Sequence, residues 1–267
     1  MPKRDQHPHP ALKMFTFLLA LCLLGGIASS QGRLFRDPQV GESPEAEFHL
    51  ARLMYRTQGG GGSGGFRQPW WAIDYPEAEE HFIPALRRMT NIESSDDSRH
   101  LEITDDRVFK HPFLFIQQPG QGRWSPNAKE AERFREYLLR GGFLLIDDLH
   151  GDNEWYILEE ALGRILPGRE IVEIPEDDAL MHIFFDLGER QQIPGKRHLG
   201  WNGTAQMQGP PHWRGIYDDE GRLMVAINFN IDMGDAWEHA DDADYPLPMT
   251  AQAYQLGINY VLYAMTH

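Results

Sequence analysis

Cysteine is nearly absent from this sequence of 267 residues. The single cysteine, Cys22, lies within an apolar segment near the amino terminus. The rest of the chain therefore offers no disulfide, no thiolate nucleophile and no cysteine-based zinc site. A lipoprotein signal requires a small residue before its cysteine, and Leu21 stands there instead. We therefore do not expect lipidation.

Basic residues are scarce relative to acidic ones. Lysine and arginine together number 25, against 40 aspartates and glutamates, so the formal net charge is -15. A surface this acidic repels nucleic acids and anionic lipid head groups, so neither is expected as a partner. The composition favours neutral or cationic partners and solubility outside the cytoplasm.

Long apolar runs are also rare, and the one that stands out covers residues 14–28. Basic residues precede this run, and Ala28 and Ser30 follow the small-x-small pattern that signal peptidases cleave. We interpret residues 1–30 as a signal peptide and expect a periplasmic or secreted protein. The alternative is an uncleaved signal that anchors the chain to the membrane, although the run is shorter than the ~20 residues of a typical span.

Residues 31–46 contain prolines, glycines and charges and are predicted to be a flexible tether. Residues 47–267 are long enough for one domain with a substantial core. Strand and helix patterns alternate along this domain. The predicted strands cover residues 48–55, 101–104, 112–116, 143–146 and 171–174, and the predicted helices begin near Asp74, Ser125, Asp152 and Thr250. Such alternation predicts an α/β fold with a mostly parallel sheet, helices on both faces and an edge hairpin at residues 215–229.

The strand predicted at residues 143–146 ends in a cluster of polar side chains, Asp147, Asp148 and His150. In open α/β sheets, ligands bind outside the carboxyl ends of the strands. These three residues are therefore candidate catalytic groups at a central position. Because successive side chains of a strand point to opposite sides, only one aspartate should face a pocket, and we choose Asp148.

Hard oxygen ligands beside one imidazole suit a divalent cation, and Asp148, His150 and Asp152 are the candidate metal ligands. The alternative interpretation gives Asp152 a structural role as the cap of the following helix. The sequence predicts no organic cofactor and leaves a divalent metal as the open alternative.

Two further segments combine tryptophan with acidic residues. They supply the candidate ligand-binding residues Trp71, Asp74, Asp232, Asp235 and Trp237. Aromatic rings next to carboxylates are typical of sugar sites, where rings stack on the sugar and carboxylates bind its hydroxyls. For each tryptophan taken singly, a place in the core is the competing interpretation.

Four sequence blocks occur together and resemble one known family. The blocks are Trp70-Trp71-x-x-Asp74, His111-Pro112-Phe113-Leu114, Leu139-Arg140-Gly141-Gly142-Phe143 through Asp147-Asp148, and Asn230-x-Asp232-x-Gly234-Asp235-x-Trp237-Glu238. Over residues 47–267 the chain resembles the bacterial domain of unknown function 4159 family. This resemblance supports an exported α/β domain and implies no activity.

A more distant similarity is to class I glutamine amidotransferase-like proteins, especially the trehalose-utilisation type. It implies a flavodoxin-like sheet and a site beside the central strand. It also makes His182 a further catalytic candidate, because a histidine in this general area lies near the site in those proteins. The cysteine nucleophile of true amidotransferases has no counterpart in Asp147-Asp148-Leu149-His150, so amidotransferase chemistry is not implied.

Three classes of function remain open. The first is a non-catalytic binding module of the bacterial cell envelope that recognises a sugar or a partner protein. The second is a carbohydrate-active hydrolase that uses Asp148, His150 and neighbouring acids, with or without a metal. The third is a structural subunit of an envelope complex. Without a cysteine, a serine elbow or a complete metal motif, the sequence favours the binding module.

Overall fold

The computed structural model describes residues 46–57, 68–200, 203–205 and 209–267. The predicted signal peptide, nearly all of the predicted tether and the glycine-rich residues 59–65 lie outside the described residues. Within the described ranges, no helix is long and apolar enough to cross a membrane.

The described residues form one mixed sheet of seven strands in the order β2-β1-β3-β4-β7-β6-β5. The strands are β1 (Ala51–Met54), β2 (Arg99–Glu102), β3 (Phe113–Gln117), β4 (Phe143–Leu149), β5 (Val172–Glu173), β6 (His212–Tyr217) and β7 (Leu223–Phe229). The first five strands in the spatial order pair in parallel, and β6 and β5 are added in antiparallel pairing. The predicted α/β fold with a mostly parallel sheet is therefore confirmed.

Helices connect most of these strands. They are α1 (Glu77–Met89), α2 (Ala128–Leu139), α3 (Gly151–Ile165), α4 (Ala179–His182), α5 (Met233–Glu238) and α6 (Leu247–Thr266). Helix α2 begins at a capping box, in which the Asn127 side chain accepts from the backbone N–H groups of Lys129 and Glu130. Such a cap satisfies backbone donors that the first helical turn leaves without partners.

The core contains two layers because side chains alternate along each buried strand. Phe113 and Phe115 of β3 and Phe143 of β4 belong to the cluster that packs against α1, α5 and α6. The alternate residues of the same strands, such as Leu114, Leu144 and Ile146, are equally buried but lie outside this cluster, on the side where α2 and α3 pack together.

Two expectations about strand position are corrected. The hairpin of β6 and β7 is not wholly at the edge, because β7 pairs directly with β4 and the edge strand is β5. A flavodoxin-like sheet also predicts that the first strand and the central strand are neighbours, but β3 lies between β1 and β4. Side chains that follow β1 must therefore cross the end of β3 to reach those that follow β4.

One predicted helix start, at Asp74, and one predicted helix cap, Asp152, are also corrected. Helix α1 begins at Glu77 rather than at Asp74, whose side chain turns toward the sheet and accepts from Gln117 Nε2 at 2.5 Å. Helix α3 begins at Gly151, directly after His150, so Asp152 lies within its first turn.

Candidate functional site

An irregularity near the end of β4 gives two neighbouring aspartates different surroundings. Between Ile146 and Leu149, β4 advances three residues while β7 advances two, from Ile227 to Phe229. The extra residue is a β-bulge, a feature that redirects side chains at the ends of strands. Within it, Asp148 has a left-handed backbone conformation with φ of 54°.

Asp147 has a structural role. One carboxylate oxygen accepts from Asn228 Nδ2 at 2.8 Å, and the other accepts from the backbone N–H groups of Met233 and Gly234 at 2.8 and 3.0 Å. Asn228 in turn accepts from the Tyr260 hydroxyl of α6 at 2.8 Å. This buried network fixes the first turn of α5 against the end of β4.

Asp148 is buried but incompletely partnered. Its Oδ1 lies 2.6 Å from His150 Nε2, while its Oδ2 has no hydrogen-bond partner among the described residues. Only 1% of Asp148 is exposed to solvent. An unpartnered buried carboxylate oxygen carries a large desolvation cost, and a bound ligand can remove that cost.

Three other acids converge on Asp148 and His150. Ligand atoms of Asp148, His150 and Asp232 lie within 4.8 Å of one another, and the same holds for Asp74, Asp232 and Asp235. Asp232 therefore belongs to both groups. We call these five residues the acidic cluster. A third and more exposed group of the same kind contains Asp235, Glu238 and His239.

Asp74 reaches this cluster because a buried arginine holds the segment that carries it. Arg52, in β1, donates from Nη1 to the carbonyl oxygens of Trp71 and Ile73 at 3.1 and 2.9 Å. Its Nε donates to Glu79 of α1 at 2.6 Å, and both side chains of this ion pair are almost fully buried. Arg52 thus fixes the chain at two points just before Asp74 and at one point after it.

Burial and mutual repulsion shift the pKa values of these acids. Burial raises the pKa of Asp74 well above its usual range, and the charge of Asp235 adds to the effect. Burial raises the pKa of Asp232 in the same way, with the charge of Asp148 as the next cause. Burial also raises the pKa of Asp147, to about 7, although its three hydrogen bonds oppose the shift. These carboxylates therefore strongly favour protons or cations nearby.

The pKa of His150 is raised as well, so its imidazole ring also favours a proton. Burial disfavours its charged form, but the hydrogen bond and the charge of Asp148 outweigh that effect and raise the pKa of His150. Its Nδ1 is buried without a hydrogen-bond partner among the described residues, and its ring contacts the His198 ring edge-on at 5.2 Å between centroids.

The four aspartates of the acidic cluster line a cleft of about 460 Å³ at the carboxyl edge of the sheet, and His150 contacts Asp148 without lining the cleft itself. The cleft is lined by Gln68, Ile73, Asp74, Gln118, Asp148, Lys196, Arg197, Asp232, Asp235, Glu238 and His239. Gln118 adds a second buried acceptor, Oε1, without a partner among the described residues. Lys196 does not offset the cluster fully, because its ammonium group pairs with Asp242.

The structure brings only some of the predicted site residues to this cleft. Trp237 is buried in α5 and stacks on Phe82 with centroids 4.2 Å apart, and Trp71 is buried against His100. His182 is exposed and bonds to Asp186 and to the Glu176 carbonyl. None of these three, nor Asp152, lines the cleft. Among the described residues the cleft thus lacks the aromatic platform expected for a stacked sugar.

Sequence reasoning missed several residues of the cleft. Gln118, Lys196 and Arg197 come from segments without a recognisable motif. A weak signal was present for Gln118, because it directly follows the buried strand β3, whose carboxyl end lies beside that of β4.

The fold and the cleft define an α/β domain with an acidic site at the carboxyl edge of its sheet. The chain belongs to the family described as Domain of unknown function (DUF4159), which it matches over residues 49–265. No curated protein matches the chain in sequence. Three of the four sequence blocks noted above supply members of the cleft, namely those that contain Asp74, Asp148 and Asp232.

Proposed function

We propose that this chain is a metal-assisted hydrolase whose centre is a divalent cation held by Asp148, His150 and Asp232. The observation that carries the proposal is the Oδ2 atom of Asp148, which is buried in the cleft without a partner among the described residues. A cation at this point would satisfy that oxygen and would offset the charge of the surrounding acids. A donor set of carboxylates with one imidazole suits manganese or zinc.

The chemistry follows from the ligand set. A divalent cation held by these residues would supply Lewis acidity and would lower the pKa of a water molecule in the cleft. Hydrolysis would form a bond from the water oxygen to the electrophilic atom of the substrate and break the bond from that atom to the leaving oxygen, which would take up a proton. Glu238 lines the same cleft and is placed to exchange that proton with substrate or water. An oxygen-rich substrate of the cell envelope, such as a carbohydrate, remains the proposed class.

The binding module is the second candidate, and the cleft also supports it. A cation that several acids hold can bind the hydroxyl groups of a ligand without turnover. Among the described residues of the cleft there is no serine, threonine or cysteine that could act as a covalent nucleophile. A sugar or a partner protein of the envelope would then be recognised and left intact.

Metal analysis and a glycan array separate these functions. The purified protein should retain manganese or zinc after dialysis, and Asp148→Asn should lose the cation held by Asp148, His150 and Asp232 while remaining folded. Release of reducing ends from a bound glycan supports the hydrolase, whereas binding without release supports the module. If the wild-type protein retains no metal and binds no glycan, the hydrolase and the sugar-binding module both fail, and a module that recognises a partner protein becomes the remaining explanation.

We further propose that the sheet is flavodoxin-like and that the chain is exported. The parallel strands lie in the spatial order β2-β1-β3-β4-β7. Because β7 is the fifth parallel strand along the chain, this order corresponds to the 2-1-3-4-5 pattern of flavodoxin-like sheets. The proposal of export rests on the sequence of residues 1–30 alone. Amino-terminal sequencing of protein from the native host should begin near Gln31, and an unprocessed cytoplasmic product would contradict export.

A further inference from the structure

We infer that the acidic cluster binds two divalent cations, with Asp232 as the bridging ligand. Asp148 and His150 complete the first position, and Asp74 and Asp235 complete the second. This inference rests on the proposed function, because the first position is the cation site proposed above. It adds a second metal position and therefore a two-metal centre.

The geometry of the shared residue supports two positions. Asp232 is a member of both groups, and within each group the ligand atoms lie within 4.8 Å of one another. A carboxylate has two oxygens and can bind one cation with each of them. In two-metal sites the cations are about 3.5–4 Å apart, a separation that one bridging carboxylate can span.

The second position is built in advance of any ligand. Asp74 Oδ2 accepts from Gln117 Nε2 at 2.5 Å, and Asp235 Oδ2 accepts from the backbone N–H of Lys196 at 2.6 Å. Asp232 Oδ1 accepts from the backbone N–H of Asp235 at 2.9 Å. Each of the three acids is thus oriented by a hydrogen bond, and a preformed arrangement lowers the cost of binding.

Charge also favours a second cation. A single cation at Asp148, His150 and Asp232 would leave Asp74 and Asp235 uncompensated beside it. Two basic side chains near the cluster are engaged elsewhere, since Arg52 pairs with Glu79 and Lys196 pairs with Asp242, and Arg197, which also lines the cleft, adds only one positive charge. Two divalent cations would balance the four carboxylates of the cluster.

The unpartnered acceptors in the cleft are independent evidence for bound cations. Asp148 Oδ2 and Gln118 Oε1 are both buried without a partner among the described residues, and these two side chains are 1% and 3% exposed. Both atoms are acceptors only, so a second carboxylate or carbonyl group could not satisfy them. Cations or the water molecules that cations hold would do so.

Titration calorimetry with manganese chloride on the metal-free full chain tests the inference. We expect two cations per wild-type chain, one in Asp148→Asn and one in Asp74→Asn. Asp232→Asn should bind neither cation tightly. This variant should remain folded, because asparagine keeps the Oδ1 acceptor that caps α5. Asp241→Asn is the matched control, because it removes an exposed negative charge near the cluster and should still bind two cations.

Electron paramagnetic resonance on the same samples gives a second measurement. At two equivalents of manganese, the six-line signal of isolated ions should broaden through coupling between neighbouring ions. One cation per wild-type chain would overturn the two-metal centre and leave the proposed function standing. No bound cation would overturn both, and two uncoupled ions, or two retained by a folded Asp232→Asn variant, would overturn the bridge.

Discussion

Asp147 and Asp148 are adjacent in the chain, yet the first accepts three hydrogen bonds and the second leaves one buried oxygen without a partner among the described residues. One aspartate therefore holds the structure together, and the other is prepared for a ligand. The β-bulge in β4 accounts for the difference, because the extra residue turns Asp148 toward the cleft. The same substitution at the two positions should consequently have opposite effects on stability.

Asp147→Asn should lower the free energy of unfolding by about 2–4 kcal/mol, because the amide group cannot accept from all three donors and leaves some of them unsatisfied. Asp148→Asn in metal-free buffer should leave this free energy unchanged or raise it, because it removes an incompletely partnered buried charge. Urea unfolding in the presence of a chelator measures both. Equal losses in the two variants would contradict the division of roles.

Gly195 should control the geometry of the acidic cluster. A Cβ atom at this position would lie 2.6 Å from Asp232 Oδ2 and 2.9 Å from Asp235 Oδ2, so Gly195→Ala must displace both carboxylates. We expect manganese affinity to fall at least about tenfold, the equivalent of about 1.4 kcal/mol. Calorimetric titration of the variant measures the change.

The matched control for this substitution is Gly163→Ala. Gly163 lies within α3, and a Cβ there would meet no atom within 4 Å. Alanine should stabilise the helix by up to about 1 kcal/mol and leave manganese affinity unchanged. A similar loss of affinity in both variants would show that the effect does not arise at the cluster.

Arg52→Met should destabilise the fold by about 3–5 kcal/mol, because it leaves the Glu79 carboxylate buried and unpaired. It also removes the donors to the Trp71 and Ile73 carbonyls, so the segment before Asp74 should loosen. The double variant Arg52→Met with Glu79→Leu should recover part of the stability. Chemical unfolding of the three variants measures this, and no recovery in the double variant would contradict the cost assigned to the unpaired charge.

The sequence predicted the sheet and the acids that follow β4 because both depend on local patterns. A short apolar run between glycines and aspartates indicates a buried strand at any position in the fold. The central location of β4 and the choice of Asp148 as the cleft residue followed from strand alternation and from the general placement of sites in α/β folds.

Helix α5 could not be predicted in this way. Its first turn depends on the carboxylate of Asp147, which is more than eighty residues away in sequence, and on the cap from Asp232. From the sequence, Trp237 is therefore a candidate ligand-binding ring, with a place in the core as the competing interpretation. In the structure, α5 carries Trp237 into the core, and the same turn places Asp232 and Asp235 in the cleft.

His111 should make the protein sensitive to acid at a point remote from the cleft. Burial, followed by the charge of the neighbouring His49, lowers the pKa of His111 to about 4, whereas an unfolded chain has a histidine pKa of about 6.5. Between these values the unfolded state binds more protons than the folded state. The free energy of unfolding should therefore fall as the pH falls from about 7 to about 4, by at most about 3 kcal/mol from this residue.

His111→Gln should remove this contribution, since the variant has no group to protonate, while the backbone carbonyl that accepts from Tyr137 remains. The control, His182→Gln, should shift the pH dependence of the free energy of unfolding in the opposite direction. The bond to the Glu176 carbonyl, followed by the Asp186 side chain, raises the pKa of the exposed His182, so its contribution is present at low pH and is lost as the pH rises. Urea unfolding at pH 4.5 and pH 7.5 compares each variant with the wild type. Two variants that shift the pH dependence in the same direction would contradict the assignment of a buried neutral histidine to position 111.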